Sequence, residues 1–255
     1  MAINLLDITA NNNDLTNVNT VTEVTTSLPF AQSTIAVDME LDSAQYLSAA
    51  DSASLSITGD LTFELWFKLE SVVAVNGARP LIGKWDTDGA QSSFRFYIYY
   101  TSGTPALNLD ISSSGSNYSN AQVAWTPTID VWYHLAVAYD ASAGSADFYV
   151  DGSQQGTTQT GLFTSVFNGT TALTIGAYDT GGNMSTTDGK IDDVRIWNDV
   201  RTVTEISDNM SIELVGDEAG LVAYWPFETE VGVTPTTNHL KYYKRTRFPG
   251  DITGV

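Results

Sequence analysis

Apolar and polar residues alternate with a period of two along much of this chain, in short runs separated by clusters of Gly, Asn, Asp and Ser. That is the pattern of half-buried β-strands joined by turns, as in a sandwich or a barrel. In Leu61 to Leu69 the residues Leu61, Phe63, Leu65, Phe67 and Leu69 share one face, and Thr62, Glu64, Trp66 and Lys68 share the other. Alternate side chains of a strand point to opposite sides, so the first set faces a core. Phe94, Phe96, Ile98 and Tyr100 alternate with Arg95, Tyr97 and Tyr99, and Leu107, Leu109 and Ile111 follow. This predicts a hairpin across Thr101 to Pro105 with Tyr97 and Tyr99 outward. Trp132 to Tyr139 reads as a central strand, and Phe148-Tyr149-Val150 as a strand ending at Asp151-Gly152, a pair suited to the positive φ of a tight hairpin turn. Thr202-Val203-Thr204-Glu205 has the spacing of a capping box and opens a short helix to about Ser211.

Composition adds to this picture. Only 16% of the residues are charged against 42% hydrophobic, so Ser, Thr, Asn, Gln and Gly must cover most of the surface of one large all-β domain. Thirty acidic residues against eleven basic ones give a net charge of -19, which repels phosphate backbones and anionic membrane surfaces and argues against a nucleic-acid partner. The chain has no cysteine, which excludes disulfides, thiolate metal sites and a cysteine nucleophile. No run approaches the ~20 apolar residues of a membrane helix, so membrane insertion is not expected. Met1 to Ala10 has no basic start and its apolar run is broken by Asn4 and Asp7, so no signal peptide is visible.

A composition break falls near Phe227. Residues 1–227 hold seven of the basic and 27 of the acidic residues, a balance of -20, and the remainder carries +1. The expected organisation is therefore a domain over 1–228 and a basic aromatic tail over 229–255. In that tail Lys241, Lys244, Arg245 and Arg247 could anchor an acidic partner, including another copy of this protein. An extra edge strand or an appended segment is the plainer reading.

Five blocks, in order, carry a family resemblance: Leu61-Thr62-Phe63-Glu64-Leu65-Trp66-Phe67-Lys68, Lys84-Trp85-Asp86, Trp132-Tyr133-His134-Leu135-Ala136-Val137, Phe148-Tyr149-Val150-Asp151-Gly152, and Gly189-Lys190-Ile191-Asp192-Asp193-Val194-Arg195-Ile196-Trp197-Asn198 with its continuation to Gly220-Leu221-Val222-Ala223-Tyr224-Trp225-Pro226-Phe227. Together they resemble the laminin-G-like, concanavalin A-like jelly-roll domains. The resemblance implies a two-sheet antiparallel β-sandwich with one short helix near the C-terminal end. It also implies a structural calcium held by Asp192 with backbone carbonyls near Asp42 and Ser43. Here Leu41-Asp42-Ser43-Ala44 replaces the family's usual glycine-containing turn. Asp192 bonded only to backbone amides is the competing reading.

The residues themselves offer little catalytic chemistry. The chain has two histidines, and His134 sits where that family commonly has a core-strand histidine. Glycosidases of this sandwich carry Glu-x-Asp-x-x-Glu, and Glu40-Leu41-Asp42-Ser43-Ala44-Gln45 ends in a residue that cannot donate an acidic proton. Asp86-Thr87-Asp88-Gly89 reads as a turn. The aromatic residues that periodicity leaves outside the core, Tyr97, Tyr99, Trp85, Tyr118, Trp125 and Tyr178, are the candidate ligand contacts, since sugars stack on exposed rings. The expectation is a non-catalytic recognition or adhesion module for glycans or a protein surface, outside the cell or on a particle. The alternative is a structural virion or surface-lattice protein such as a decoration or fibre subunit.

Overall fold

A computed structural model describes residues 3–25, 33–179, 181 and 184–228. Lys241, Lys244, Arg245 and Arg247, with the whole segment 229–255, lie outside the described residues. In chain order the strands are β1 (Thr16–Val18), β2 (Thr22–Thr25), β3 (Ile35–Met39), β4 (Tyr46–Ala49), β5 (Leu61–Leu69), β6 (Gly77–Lys84), β7 (Phe94–Thr101), β8 (Thr104–Ile111) and β9 (Ser119–Ala124). They continue as β10 (Trp132–Asp140), β11 (Ser145–Val150), β12 (Ser153–Thr160), β13 (Leu173–Ile175), β14 (Ala177–Asp179), β15 (Met184–Thr186) and β16 (Gly189–Trp197). Helix α1 (Val203–Asn209) and strand β17 (Leu221–Trp225) follow.

Two antiparallel sheets form the sandwich. The first has the order β1-β4-β13-β6-β7-β8-β9 and the second β12-β11-β10-β5-β16-β3-β2, while β14 and β15 make a small hairpin packed against β6. Between the sheets, the fully buried Leu61, Phe63, Leu65, Phe67 and Leu69 of β5 join one core with Phe94, Phe96 and Ile98 of β7 and Leu107, Leu109 and Ile111 of β8. Each such side chain contributes about 1.5–3 kcal/mol when removed from water. The alternation read from the sequence is therefore the inner face of the sandwich.

The turns follow their residues. Thr101 pairs with Thr104, so the β7–β8 hairpin closes on Ser102 and Gly103, both at positive φ (50° and 79°). Asp151 and Gly152 do the same between β11 and β12, at 48° and 72°. Helix α1 has the expected capping box on Thr202 and Glu205 and ends two residues sooner than the expected Ser211, at Asn209.

Strand β16 changes partner along its length. Gly189 to Ile191 pair with β3, and Val194 to Trp197 pair with β17, with Asp193 at φ 51° between the two stretches. The break falls opposite β5, where Asp192 faces Trp66 and Arg195 faces Glu64, so the bulge at Asp193 twists β16 and redirects its side chains. The first described residues close the fold from the other direction. The buried Asp7 carboxylate accepts hydrogen bonds from the amides of Thr9, Asn13 and Tyr224, from the Thr9 hydroxyl and from the Asn13 side chain, at 2.9–3.1 Å. One charge thus fastens the N-terminal loop to the last strand.

Candidate functional site

The outward residues of β7, β8 and β9 stand in rows. Tyr99 pairs with Ala106 and Ala106 with Ala124; Tyr97 pairs with Asn108 and Asn108 with Gln122; Arg95 pairs with Asp110 and Asp110 with Asn120. Tyr118 continues the outward side of β9 one row beyond Asn120. The resulting strip is made of rings, amides and one ion pair.

Arg95 organises it. Its guanidinium bonds Asp110 at 2.7 Å, and its central carbon lies 4.4 Å from the Trp85 ring, 4.6 Å from Tyr178, 4.8 Å from Tyr97 and 5.6 Å from Tyr118. Cations are held over aromatic faces by the ring quadrupole, so four rings share one charge. Burial works against that charge, but the Asp110 carboxylate, Tyr178 and Tyr97 together outweigh it and hold Arg95 above its ordinary range. Asp110 is fully buried and also accepts from the Tyr97 hydroxyl at 3.1 Å and from Asn120 Nδ2 at 2.7 Å. Burial, then the Asp110 charge, push the Tyr97 phenol well above its usual range, and burial raises Tyr178 to about 12. Both stay neutral hydroxyls at physiological pH.

The sequence-predicted aromatics divide into floor and rim. Trp85, Tyr97 and Tyr178 are buried and form one cluster, whereas Tyr99 and Tyr118 are 37% and 55% exposed. The Trp85 indole N–H is buried with no hydrogen-bond partner among the described residues. Trp125 does not join them: it packs edge-to-face on Tyr133, 5.1 Å between centroids, in the main core. Sequence reasoning passed over Asp110, Asn108, Asn120 and Gln122. The signal was present for the first two, because they alternate with the core residues Leu107, Leu109 and Ile111.

The expected calcium donors are not brought together. Asp192 is fully buried and its two oxygens accept from the Ser33 hydroxyl at 2.5 Å and the Asp193 amide at 2.7 Å. Burial raises its carboxyl well above the ordinary range, against the opposing Ser33 bond. Asp42 and Ser43 lie in an exposed 3₁₀ turn past the Met39 end of β3, next to Leu41, whose amide is 3.4 Å from the Asp188 carboxylate. Met39 is paired with Gly189, so Asp192 lies three residues further along β16, about 10 Å at ~3.3 Å per residue, on the side away from that turn. These residues do not fit a shared ion. A different acidic group, Asp38, Glu40 and Glu70, does converge, but Lys190 already bonds Asp38 at 2.7 Å and Glu70 as well, so an ammonium fills the space between those two carboxylates.

The remaining candidates are structural. Gln45 is buried, accepting from the Glu40 amide at 2.9 Å and donating to the Thr20 carbonyl at 2.9 Å, while Asp86 accepts from Gly89 N at 2.9 Å within a turn. His134 is buried 3.4 Å from Glu64. Both lie on the outer face of the second sheet, beneath α1 and the following loop. There Arg195 clamps Asp193 with two bonds at 2.8 and 2.9 Å, donates to the carbonyls of Asn209 and Ile212, and lies 3.9 Å from Glu64. The Trp66 indole donates to Met210 O at 2.8 Å. The polar side of β5, expected from alternation to lie opposite the core, is thus sealed as well.

Against known proteins, residues 41–207 match the family model of the concanavalin A-like lectin/glucanases superfamily. No curated protein sequence matches the chain. Similar solved structures include the heptameric SAP-like pentraxin of Limulus polyphemus, at 19% identity and TM-score 0.51, over 68% of this chain and 79% of that one. Domain 4 of AbnA, a GH43 extracellular arabinanase from Geobacillus stearothermophilus solved with arabinotriose, aligns at 18% identity and TM-score 0.56, over 76% and 87%. Tailspike protein 2 of an Escherichia coli O157:H7 bacteriophage aligns at 14% identity and TM-score 0.61, over 89% of this chain and 30% of the tailspike. At these identities the likeness is one of fold.

Proposed function

This chain belongs to the concanavalin A-like lectin/glucanase superfamily, and from that premise we propose that it is a non-catalytic recognition module that binds an extended, uncharged glycan along the outer face of β7, β8 and β9. The observation that carries this reading is the pair of exposed rings, Tyr99 and Tyr118, set at the two ends of a strip with Asn120 and Gln122 exposed between them. Tyr99 lies on the row of Ala124, six residues along β9 from Tyr118, or about 20 Å at ~3.4 Å per residue. Such a span suits several sugar units in a line better than one terminal sugar. Rings supply stacking, amides bond hydroxyls, and the buried floor fixes both in place.

Charge supports an uncharged ligand. Arg95 is neutralised by Asp110, and the protein as a whole repels polyanions at -19. The non-catalytic part of the proposal draws on the site chemistry: Asp110 is fully buried and spent on three partners, and Glu64 is sealed under α1. The AbnA domain, solved with arabinotriose, lends this reading support from analogy of fold. A role outside a cell or on a particle surface goes with it.

The test is calorimetric titration with uncharged linear oligosaccharides of increasing length, beside a uronate-containing chain, in calcium and in chelator. Affinity is expected to rise over the first few units and then level, to be the same with chelator, and to fall about tenfold, or about 1.4 kcal/mol, in each of Tyr99→Ala and Tyr118→Ala. Absence of binding to every glycan in both conditions would sink the reading. It would favour the structural virion or surface-lattice subunit, which the tailspike likeness supports and which predicts that removing residues 229–255 breaks up an assembly.

A further inference from the structure

A second concavity lies where β5 begins and β16 ends, and shares no residue with the aromatic strip. It is a crevice of about 450 Å³, within the range of roughly 300–1,000 Å³ typical of small-ligand sites. Four separate stretches of the chain form it: Asn11, the 53–60 loop between β4 and β5, Asn198, and residues 220–222 that face it. We propose that this crevice is an independent binding site for one small polyhydroxylated unit, a free sugar or the exposed end of a glycan.

Its lining has two characters. Ile57, Leu221 and Val222 are nearly inaccessible and give an apolar floor, while Ser56, Thr58, Asp60, Asn11 and Asn198 supply hydroxyl, carboxylate and amide groups around it. None of the lining residues is basic or aromatic. A pyranose is built the same way, with an apolar C–H face and a ring of hydroxyls that both donate and accept. Asp60 spends one oxygen on the amide of Ala141 at 2.8 Å, and its second oxygen can take a hydroxyl pair from the ligand. The same carboxylate disfavours an anionic sugar.

The walls are fixed before any ligand arrives. Ser52 and Ser54 both donate to Asn13 Oδ1, at 2.7 and 2.9 Å, and Val166 N donates to Thr58 O at 3.0 Å, which pins the 53–60 loop at several points. On the other side Asn198 N donates to Gly220 O at 2.9 Å and Asn11 Nδ2 to Val222 O at 2.8 Å. Gly220 sits at φ +85°, and a Cβ there would come within 2.5 Å of the Asp199 carboxylate, so any other residue would strain this wall and displace that carboxylate. Preorganised walls lower the entropy cost of binding.

Gly59 makes the idea easy to break, because a Cβ built on it meets nothing within 4 Å. Gly59→Trp should place a bulky ring at the crevice lining without a clash at its Cβ. The experiment is an NMR titration of the intact chain with a hexose, a hexosamine and a hexuronate, repeated on Gly59→Trp, Asp60→Asn and a Tyr99→Ala/Tyr118→Ala double variant. Saturable hexose binding is expected, with shifts at residues 53–60, 198 and 220–222. It should weaken at least tenfold in Gly59→Trp, fall several-fold in Asp60→Asn, and be unchanged in the double tyrosine variant. Hexose binding that survives Gly59→Trp overturns the proposal, as does hexuronate binding as tightly as hexose, or no saturable binding of any of the three. Since the tyrosine variants report on the strip alone, its failure and the failure of the crevice are read separately.

Discussion

The two outer faces of the sandwich begin from the same ingredients and end differently. On the first sheet Arg95 meets Asp110 across neighbouring strands; on the second Arg195 meets Asp193 at the bulge of its own strand and has Glu64 at 3.9 Å across the neighbouring one. Arg95 is covered by rings, with 12% of its side chain still reached by water and two exposed tyrosines at the rim, whereas Arg195, 1% exposed, is roofed by the carbonyls of Asn209 and Ile212. The lesson is that an outward arginine and carboxylate pair does not by itself mark a site. What lies above it decides: main chain makes the pair a structural fastening, and aromatic side chains leave a surface that a ligand can use.

The sharpest way to break this comparison is to remove each cation. Arg195→Met strands two buried carboxylates and should cost about 3–5 kcal/mol in urea unfolding, with glycan affinity preserved in the folded fraction. Arg95→Met should cost less stability, since Asp110 keeps its bonds from Tyr97 and Asn120, and should weaken glycan binding. Equal stability losses with no change in binding would mean that the two faces are alike. A smaller effect is expected from the roof. Thr202→Ala removes the cap that accepts from Glu205 N and should cost about 1 kcal/mol, seen as a shifted urea midpoint and faster amide exchange over residues 203–210.

The smallest effect concerns Asp192, a buried carboxyl of the second sheet that accepts from the Ser33 hydroxyl and the Asp193 amide. Its carboxyl titrates above its unfolded value, so the native state holds the proton longer. Stability from this group is therefore flat below the ordinary carboxylate range and declines as pH rises through the native pKa. Asp192→Asn keeps an acceptor for the Asp193 amide and should abolish that decline, leaving stability at neutral pH equal or higher. A loss of stability that calcium addition reverses in the parent protein, but not in the variant, would restore a metal-ligand role for Asp192.

Much of the fold was legible because period-two alternation and turn chemistry are local. Leu61 to Leu69, the Ser102-Gly103 and Asp151-Gly152 turns and the Thr202 capping box each declare themselves within ten residues. Alternation could not say what covers the other side of a strand, which is why Trp66 and Glu64 proved buried and Tyr99 exposed. It grouped Tyr97 with Tyr99 but gave no way to tell floor from rim. Asp110 was hidden in plain view, an acid between two core residues, and only its register with Arg95 gives it meaning. The crevice had no sequence signature at all, being assembled from four separate stretches. The calcium expectation came from resemblance alone, and the turn at Leu41-Asp42-Ser43-Ala44, which departs from the family's pattern, is the place where the geometry parts from it.

The position of β16 governs how the molecule can be made. It lies between β5 and β3, and Tyr224 reaches back to Asp7 across 217 residues of chain, so the second sheet cannot close until nearly all of the described domain has left the ribosome. Until then the edges of β5 and β3 that β16 will occupy stand open to any other strand. With so many pairings distant in sequence, folding should be slow, and the newly made chain should be most prone to aggregate in the interval before its last strands arrive.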